Sequence, residues 1–175
     1  QNSKGKKMRF LWVLFGIYKC LFGYNNAVGK SPILGWSTWY PYMANISQDL
    51  VINNTLEMIS RGLMDAGYMY VNIDEGWILN RSDDGNLIYD DSKFPNGMYN
   101  LGEFIHSKGL KYGLYSSRGT VQCGSSHGYN APGSYGYYKN DAFYAANMNA
   151  DYFKLDSCGA VGNYTDAFDQ YSQFG

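Results

Sequence analysis

Four short hydrophobic segments begin at residues 31, 68, 110 and 151, so successive starts lie 37, 42 and 41 residues apart. That interval is the length of one strand followed by one helix, and few folds are built on such a beat. The segments are Ser31–Trp36, Tyr68–Ile73, Leu110–Tyr115 and Asp151–Leu155; the last three follow the helix-ending pairs Ala66-Gly67, Lys108-Gly109 and Asn149-Ala150. Helical periodicity fills the gaps. Ile52, Leu56, Ile59 and Leu63 recur at i, i+4, i+7 and i+11 and predict one buried helix face. Met98, Leu101, Phe104 and Ile105 do the same, and an Ala-rich stretch around Asp141–Met148 does so more weakly. Strands alternating with helices imply parallel pairing through right-handed crossovers.

The polar residues fall where the strands end: Asp74-Glu75 after the second, Ser116-Ser117-Arg118 after the third, Asp156-Ser157 after the fourth. Side chains gathered at C-terminal strand ends mark the active face of a (β/α)8 TIM barrel. An open doubly wound sheet is the other architecture with this alternation. No glycine-rich phosphate loop follows the first segment, which argues against nucleotide binding; the Gly-rich stretch 124–136 comes after the third. Four βα units are half of a barrel of about 250 residues and would leave two sheet edges open. The chain is therefore expected to hold about the first four βα units, with residues 30–175 as the N-terminal half of the barrel domain and the remainder lying beyond Gly175.

Residues 1–29 read as leader and signal peptide. Met8-Arg9 precedes a nine-residue apolar run, Phe10 to Tyr18, which is too short to span a bilayer. Removal of that segment takes Cys20 with it and leaves an even pair, Cys123 and Cys158, which in an exported chain suggests a disulfide. Acceptor sequons at Asn45, Asn53, Asn80 and Asn163 point the same way, to a secreted or lysosomal glycoprotein with no membrane span in its mature form. The formal net charge of −1 gives no footprint for nucleic acid. Aromatic residues make up 18% of the chain, 18 of them Tyr, and such rings suit sugar stacking as well as packing.

Paired carboxylates at neighbouring strand ends are what glycoside hydrolysis requires. Asp156 follows Phe153-Lys154-Leu155, and Lys154, two residues earlier, shares its strand face. The lysine charge favours an ionised Asp156, as a nucleophile needs; a structural salt bridge inside the barrel fits the same spacing.

A resemblance separates these readings. Leu34-Gly35-Trp36-Ser37-Thr38-Trp39, Tyr70-Val71-Asn72-Ile73-Asp74-Glu75-Gly76-Trp77 and Lys93-Phe94-Pro95-Asn96-Gly97-Met98 resemble blocks of glycoside hydrolase family 27, the α-galactosidase or melibiase group. So do His106 to Tyr115, Pro132 to Tyr137 and Asp151-Tyr152-Phe153-Lys154-Leu155-Asp156-Ser157-Cys158, all in the family's order. The resemblance implies that Asp156 is the nucleophile of a double displacement that retains anomeric configuration on a galactose-configured saccharide. It implies that Trp39 stacks on the sugar and that Asp74, Glu75, Tyr115 and Lys154 line the subsite. It pairs Cys123 with Cys158, needs no cofactor or metal, and places the acid/base carboxylate on a later strand, so that this chain alone is expected to be inactive. A homodimer is compatible with it, though no residue here reports on assembly.

Two departures stand out. The family's Asp-Asp-Cys-Trp is Asp74-Glu75-Gly76-Trp77 here, which removes a second disulfide, and Ser117 stands where Asp is usual. A longer carboxylate at Glu75 is expected to crowd the hydroxymethyl group of galactose by about 1–3 kcal/mol and so to favour β-L-arabinopyranose. An arabinopyranosidase, an α-N-acetylgalactosaminidase and a non-catalytic sugar-binding barrel are the alternatives to the α-galactosidase.

Overall fold

The computed structural model of the chain describes residues 31–174, and the leader and signal segment expected at 1–29, with Cys20, lies outside the described residues. The first half of the described chain runs β1 (Gly35–Ser37), α1 (Trp39–Tyr42), α2 (Gln48–Ser60), β2 (Tyr70–Asn72), β3 (Ile78–Arg81) and β4 (Leu87–Tyr89). It continues with α3 (Met98–Ser107), β5 (Lys111–Ser117), α4 (Tyr138–Asn147), β6 (Tyr152–Asp156) and α5 (Tyr164–Phe174). A single 3₁₀ turn, Cys123–His127, follows β5.

Strands β1, β2, β5 and β6 form one parallel sheet in that order, with a helix between each successive pair. Each new strand adds on the same side of the last, which is the progression of a (β/α)8 barrel; a doubly wound sheet reverses direction at a switch point. The strands begin at the residues the spacing predicts, within a few positions.

Strand alternation divides the sheet into two faces. Val71, Ile73, Tyr112 and Leu114 point outward and are fully buried against Val51 and Met58 of α2, Leu101 and Ile105 of α3 and Ala145 of α4. Each such large side chain removed from water contributes about 1.5–3 kcal/mol. The other face carries the lumen residues, and register sets their levels: Ser37 opposite Asn72, Asn72 opposite Gly113, Gly113 opposite Tyr152. Gly113 leaves room for its neighbour at this level, where a Cβ would lie 2.1 Å from Asn72 Oδ1. One level higher, Tyr115 is paired with Lys154, and above them Ser117 with Asp156.

Helix α3 buries Met98, Leu101 and Ile105 as its periodicity predicts. Helix α2 does not bury the expected face. Its inner stripe is Gln48, Val51, Thr55 and Met58, while Leu56 is 43% exposed and Leu63 lies beyond the helix end. Two polar residues in that stripe hid it from the hydrophobic pattern. The Thr55 hydroxyl donates to Val51 O at 2.8 Å, and Gln48 Oε1 accepts from Asn96 N at 3.0 Å, so both enter the interior with their hydrogen bonds made. Ile52 and Ile59 are left as half-buried flanks.

The antiparallel hairpin β3–β4 is an insertion between β2 and α3 that the spacing argument did not predict. Its turn carries Asp84-Gly85 with Gly85 at φ +83°, a conformation that favours glycine. Ile78 and Leu87 anchor it in the core. Arg81 locks it to α4: the guanidinium binds Asp141 through both nitrogens at 2.7 and 2.8 Å and donates to Gly85 O and Gly133 O. Only 9% of the Arg81 side chain and 1% of that of Asp141 reach solvent. Removing one partner strands the other charge in the interior. Asp141→Ala is expected to lower stability by about 3–5 kcal/mol, measured by denaturant unfolding, whereas Glu57→Ala, which breaks the exposed Arg61–Glu57 pair, is expected to change it by less than about 1 kcal/mol.

Candidate active site

At the C-terminal ends of the four parallel strands lies a cavity of about 470 Å³, walled among others by Ser37, Trp39, Asn72, Asp74, Tyr115, Tyr152, Lys154 and Asp156. Its floor follows from the lumen register: one residue in two along each strand faces inward, so Lys154 and Asp156 of β6 enter the same space.

Lys154 is the electrostatic centre. Its ammonium lies 3.0 Å from Asp74 Oδ2 and 3.7 Å from Asp156 Oδ2, and 4.9 Å from the centre of the Tyr115 ring. Burial works to lower the lysine pKa, but the Asp74 hydrogen bond and the charges of Asp74 and Asp156 outweigh it and raise it. Asp74 is anchored at three points: its N–H donates to Thr38 Oγ1, its Oδ1 accepts from Glu75 N at 2.9 Å, and its Oδ2 holds the lysine. Asp156 is held on one side only, with Oδ1 accepting from Ser157 N at 2.7 Å. Its second oxygen faces the cavity and the ammonium. Tyr115 is buried at the base, and burial together with the charges of Glu75, Asp156 and Asp74 keeps its phenol firmly protonated.

Trp39, the first residue of α1, and the exposed Tyr40 beside it form an aromatic rim. Ser37, Tyr40, Asn72 and Tyr152 also border the cavity but were not among the residues expected there. Their signal was available, since Ser37, Asn72 and Tyr152 have the same strand parity as Asp74 and Lys154.

Glu75 departs from expectation. It is 0% exposed and is not part of the cavity wall. Its carboxylate accepts from Gly124 N with both oxygens, at 2.8 and 2.7 Å. The carboxylate expected to crowd a sugar hydroxymethyl is the one bound to Gly124 N. Glu75 lies in the turn after β2, where strand alternation no longer sets side-chain direction, and the Gly124 amide takes up its carboxylate.

Cys123 and Cys158 are joined in a disulfide with Cα atoms 4.9 Å apart, linking the turn after β5 to the segment after β6. Cys123, Asp156 and Cys158 cluster within 4.8 Å, but the two sulfurs are bonded to each other and offer no thiolate to a metal. Gly76, where the family's other cysteine is usual, sits at φ +118° with the Ala44 carbonyl 2.7 Å from where a Cβ would be. Here Lys93 Nζ ties the two loops by donating to Ala44 O at 3.1 Å and Gly76 O at 3.3 Å. Ser117 donates to Cys158 O at 2.5 Å. The sequon residues Asn45, Asn53, Asn80 and Asn163 are all exposed, and Asn163 Oδ1 caps α5 by accepting from Thr165 N and Asp166 N.

Fold and site together define a (β/α)-barrel protein whose polar cluster occupies the catalytic face of such barrels. The family model described as Alpha galactosidase A matches residues 31–174. A probable alpha-galactosidase of Dictyostelium discoideum is 41% identical over 137 residues, covering 78% of this chain and 34% of that protein. An alpha-galactosidase of Coffea arabica is 40% identical over 134 residues, covering 76% and 34%. Among solved structures, alpha-galactosidase I from Mortierella vinacea superposes with a TM-score of 0.78 at 37% identity, over 86% of this chain and 38% of that one. The alfa-galactosidase of Saccharomyces cerevisiae determined with raffinose gives a TM-score of 0.78 at 32% identity, over 85% and 32%. The chain belongs to this α-galactosidase family, glycoside hydrolase family 27, and spans about a third of the length of the curated relatives it matches.

Glu75 gives the site a pH signature. Burial, and after it the charges of Asp74 and Asp156, outweigh the Gly124 hydrogen bond and Lys154 and push its pKa from 4.5 up to about 7. A carboxyl raised in the folded state holds its proton more tightly there than when unfolded. Its stabilising contribution is complete below pH 4.5 and is lost as pH rises to about 7. Glu75→Gln cannot titrate and lacks that slope. The melting temperature of the wild type relative to this variant is expected to fall between pH 4.5 and about 7 and to level off above; scanning calorimetry across that range checks it.

Proposed function

We propose that the chain carries the nucleophile of a retaining α-galactosidase, acting on terminal α-D-galactosyl residues of oligosaccharides or glycoconjugates. The observation that carries this reading is the half-held carboxylate of Asp156, open to the cavity beside an ammonium that a second carboxylate keeps in place. Asp156 attacks the anomeric carbon, the bond to the leaving oxygen breaks, and a galactosyl-enzyme ester forms that water then hydrolyses. Lys154 stabilises negative charge on Asp156 and, with Asp74, presents donors and acceptors for the sugar hydroxyls. Trp39 offers the ring face against which the apolar side of a sugar packs.

The leaving oxygen needs a proton from a second carboxylic acid. Asp74 is bound to Lys154, and Glu75 is sealed against Gly124. Neither is free to serve, so the acid is assigned to a part of the protein outside residues 31–174. The β-L-arabinopyranoside alternative rested on a Glu75 carboxylate in the sugar space; with that carboxylate facing Gly124, galactoside is the better-supported substrate.

Export to an extracellular or lysosomal compartment, with N-glycans on the four exposed sequon asparagines, is part of the same proposal and is supported by the disulfide. Among the described residues no helix is long and apolar enough to cross a membrane.

In the full-length protein, Asp156→Asn is expected to reduce turnover of p-nitrophenyl α-galactoside by about three orders of magnitude or more while leaving galactose binding measurable. A slow fluorinated galactoside should leave a covalent sugar on the peptide containing Asp156 in the wild type alone. Undiminished turnover in the variant, or an adduct elsewhere, would overturn the assignment; sugar binding without any turnover in the wild type would favour a lectin-like barrel.

A further inference from the structure

The loop after β5 is held from an unexpected direction. Glu75, in the turn after β2, takes the Gly124 amide between its two oxygens. The approach is so close that a Cβ on Gly124 would lie 2.5 Å from Glu75 Oε1. The residue before Gly124 is Cys123, bonded to Cys158, which stands two residues beyond Asp156. The two bridged segments also meet backbone to backbone: a Cβ on Gly119 would lie 2.2 Å from Cys158 O. A chain of direct contacts thus runs from the tip of β2, over β5, to the tip of β6.

We propose that Glu75 is a positioning residue, which fixes Asp156 through the Gly124 amide and the Cys123–Cys158 bridge. The proposal rests on the reading of Asp156 as nucleophile. The methylene that distinguishes glutamate from aspartate supplies the reach to Gly124, so the departure from the family's usual residue changes how the nucleophile strand is braced. A glutamate that merely filled space would be replaceable by leucine. One that acts as an acceptor would be replaceable by glutamine only.

The test uses the full-length protein and reads the disulfide directly, by alkylation and mass after timed exposure to a water-soluble phosphine. Glu75→Leu and the shorter Glu75→Asp are expected to open Cys123–Cys158 to reduction about tenfold faster. Glu75→Gln, which keeps an acceptor at the same reach, should stay within about twofold of wild type. Gly124→Ala should accelerate reduction in the wild-type background and add little in Glu75→Ala, because the clash it creates is with the glutamate. On a galactoside, Glu75→Leu should lower kcat more than it raises KM, with Glu75→Gln restoring kcat.

Equal reduction rates in the Asp and Gln variants, strictly additive effects of Gly124→Ala, or a change confined to KM would each overturn the proposal. If the leucine variant does not fold, the Asp and Gln pair still decides. A protein with no galactosidase activity would remove the reading of Asp156 yet leave the reduction assay intact, so the two failures are distinguishable.

Discussion

One ammonium group organises this site. Lys154 stands in the lumen between Asp74 and Asp156, and each of the three arrives from a strand end whose register is fixed by the sheet. Two carboxylates this close to one another repel; a shared cation converts that repulsion into attraction in a partly water-excluded space. The lysine is in turn backed by the Tyr115 ring, whose face favours a cation. The charge is local. The outward face of the same strands is apolar and packs on helices, so alternation keeps chemistry and cohesion on opposite sides of one sheet.

The arrangement also separates what is rigid from what is reactive. Asp74 is anchored at its N–H and at both carboxylate oxygens and serves as framework. Asp156 is restrained at one oxygen and leaves the other facing the cavity. Around them the supports are of different kinds: a disulfide beside β6, a lysine bridging two carbonyls beside β2, and a bidentate arginine pair holding the hairpin to α4.

Much of this was legible in the chain itself, for identifiable reasons. Strand spacing and helix-ending glycines located the parallel strands because a βα unit has a nearly fixed length, and strand-end polar residues located the cavity. The inner face of α2 was not legible, since Gln48 and Thr55 enter the core with their hydrogen bonds satisfied and leave no hydrophobic mark. The hairpin was missed although Asp84-Gly85, flanked by apolar residues, is a recognisable turn signal; the strands it joins are only four and three residues long. The partner of Glu75 was not legible, because Glu75 lies in the turn after β2, where strand alternation gives no direction. The Glu75–Gly124 contact spans 49 positions, and no local pattern reports it.

The disulfide carries a last implication for how this polypeptide matures. Within residues 31–174 there are two cysteines, so oxidation there has a single intramolecular solution and no scrambled isomer to correct. The bond joins partners 35 residues apart, and the second of them emerges from the ribosome only after β6. Closure of the bridge therefore reports completion of this segment: it forms only once β6 and the residues just after it have been synthesised.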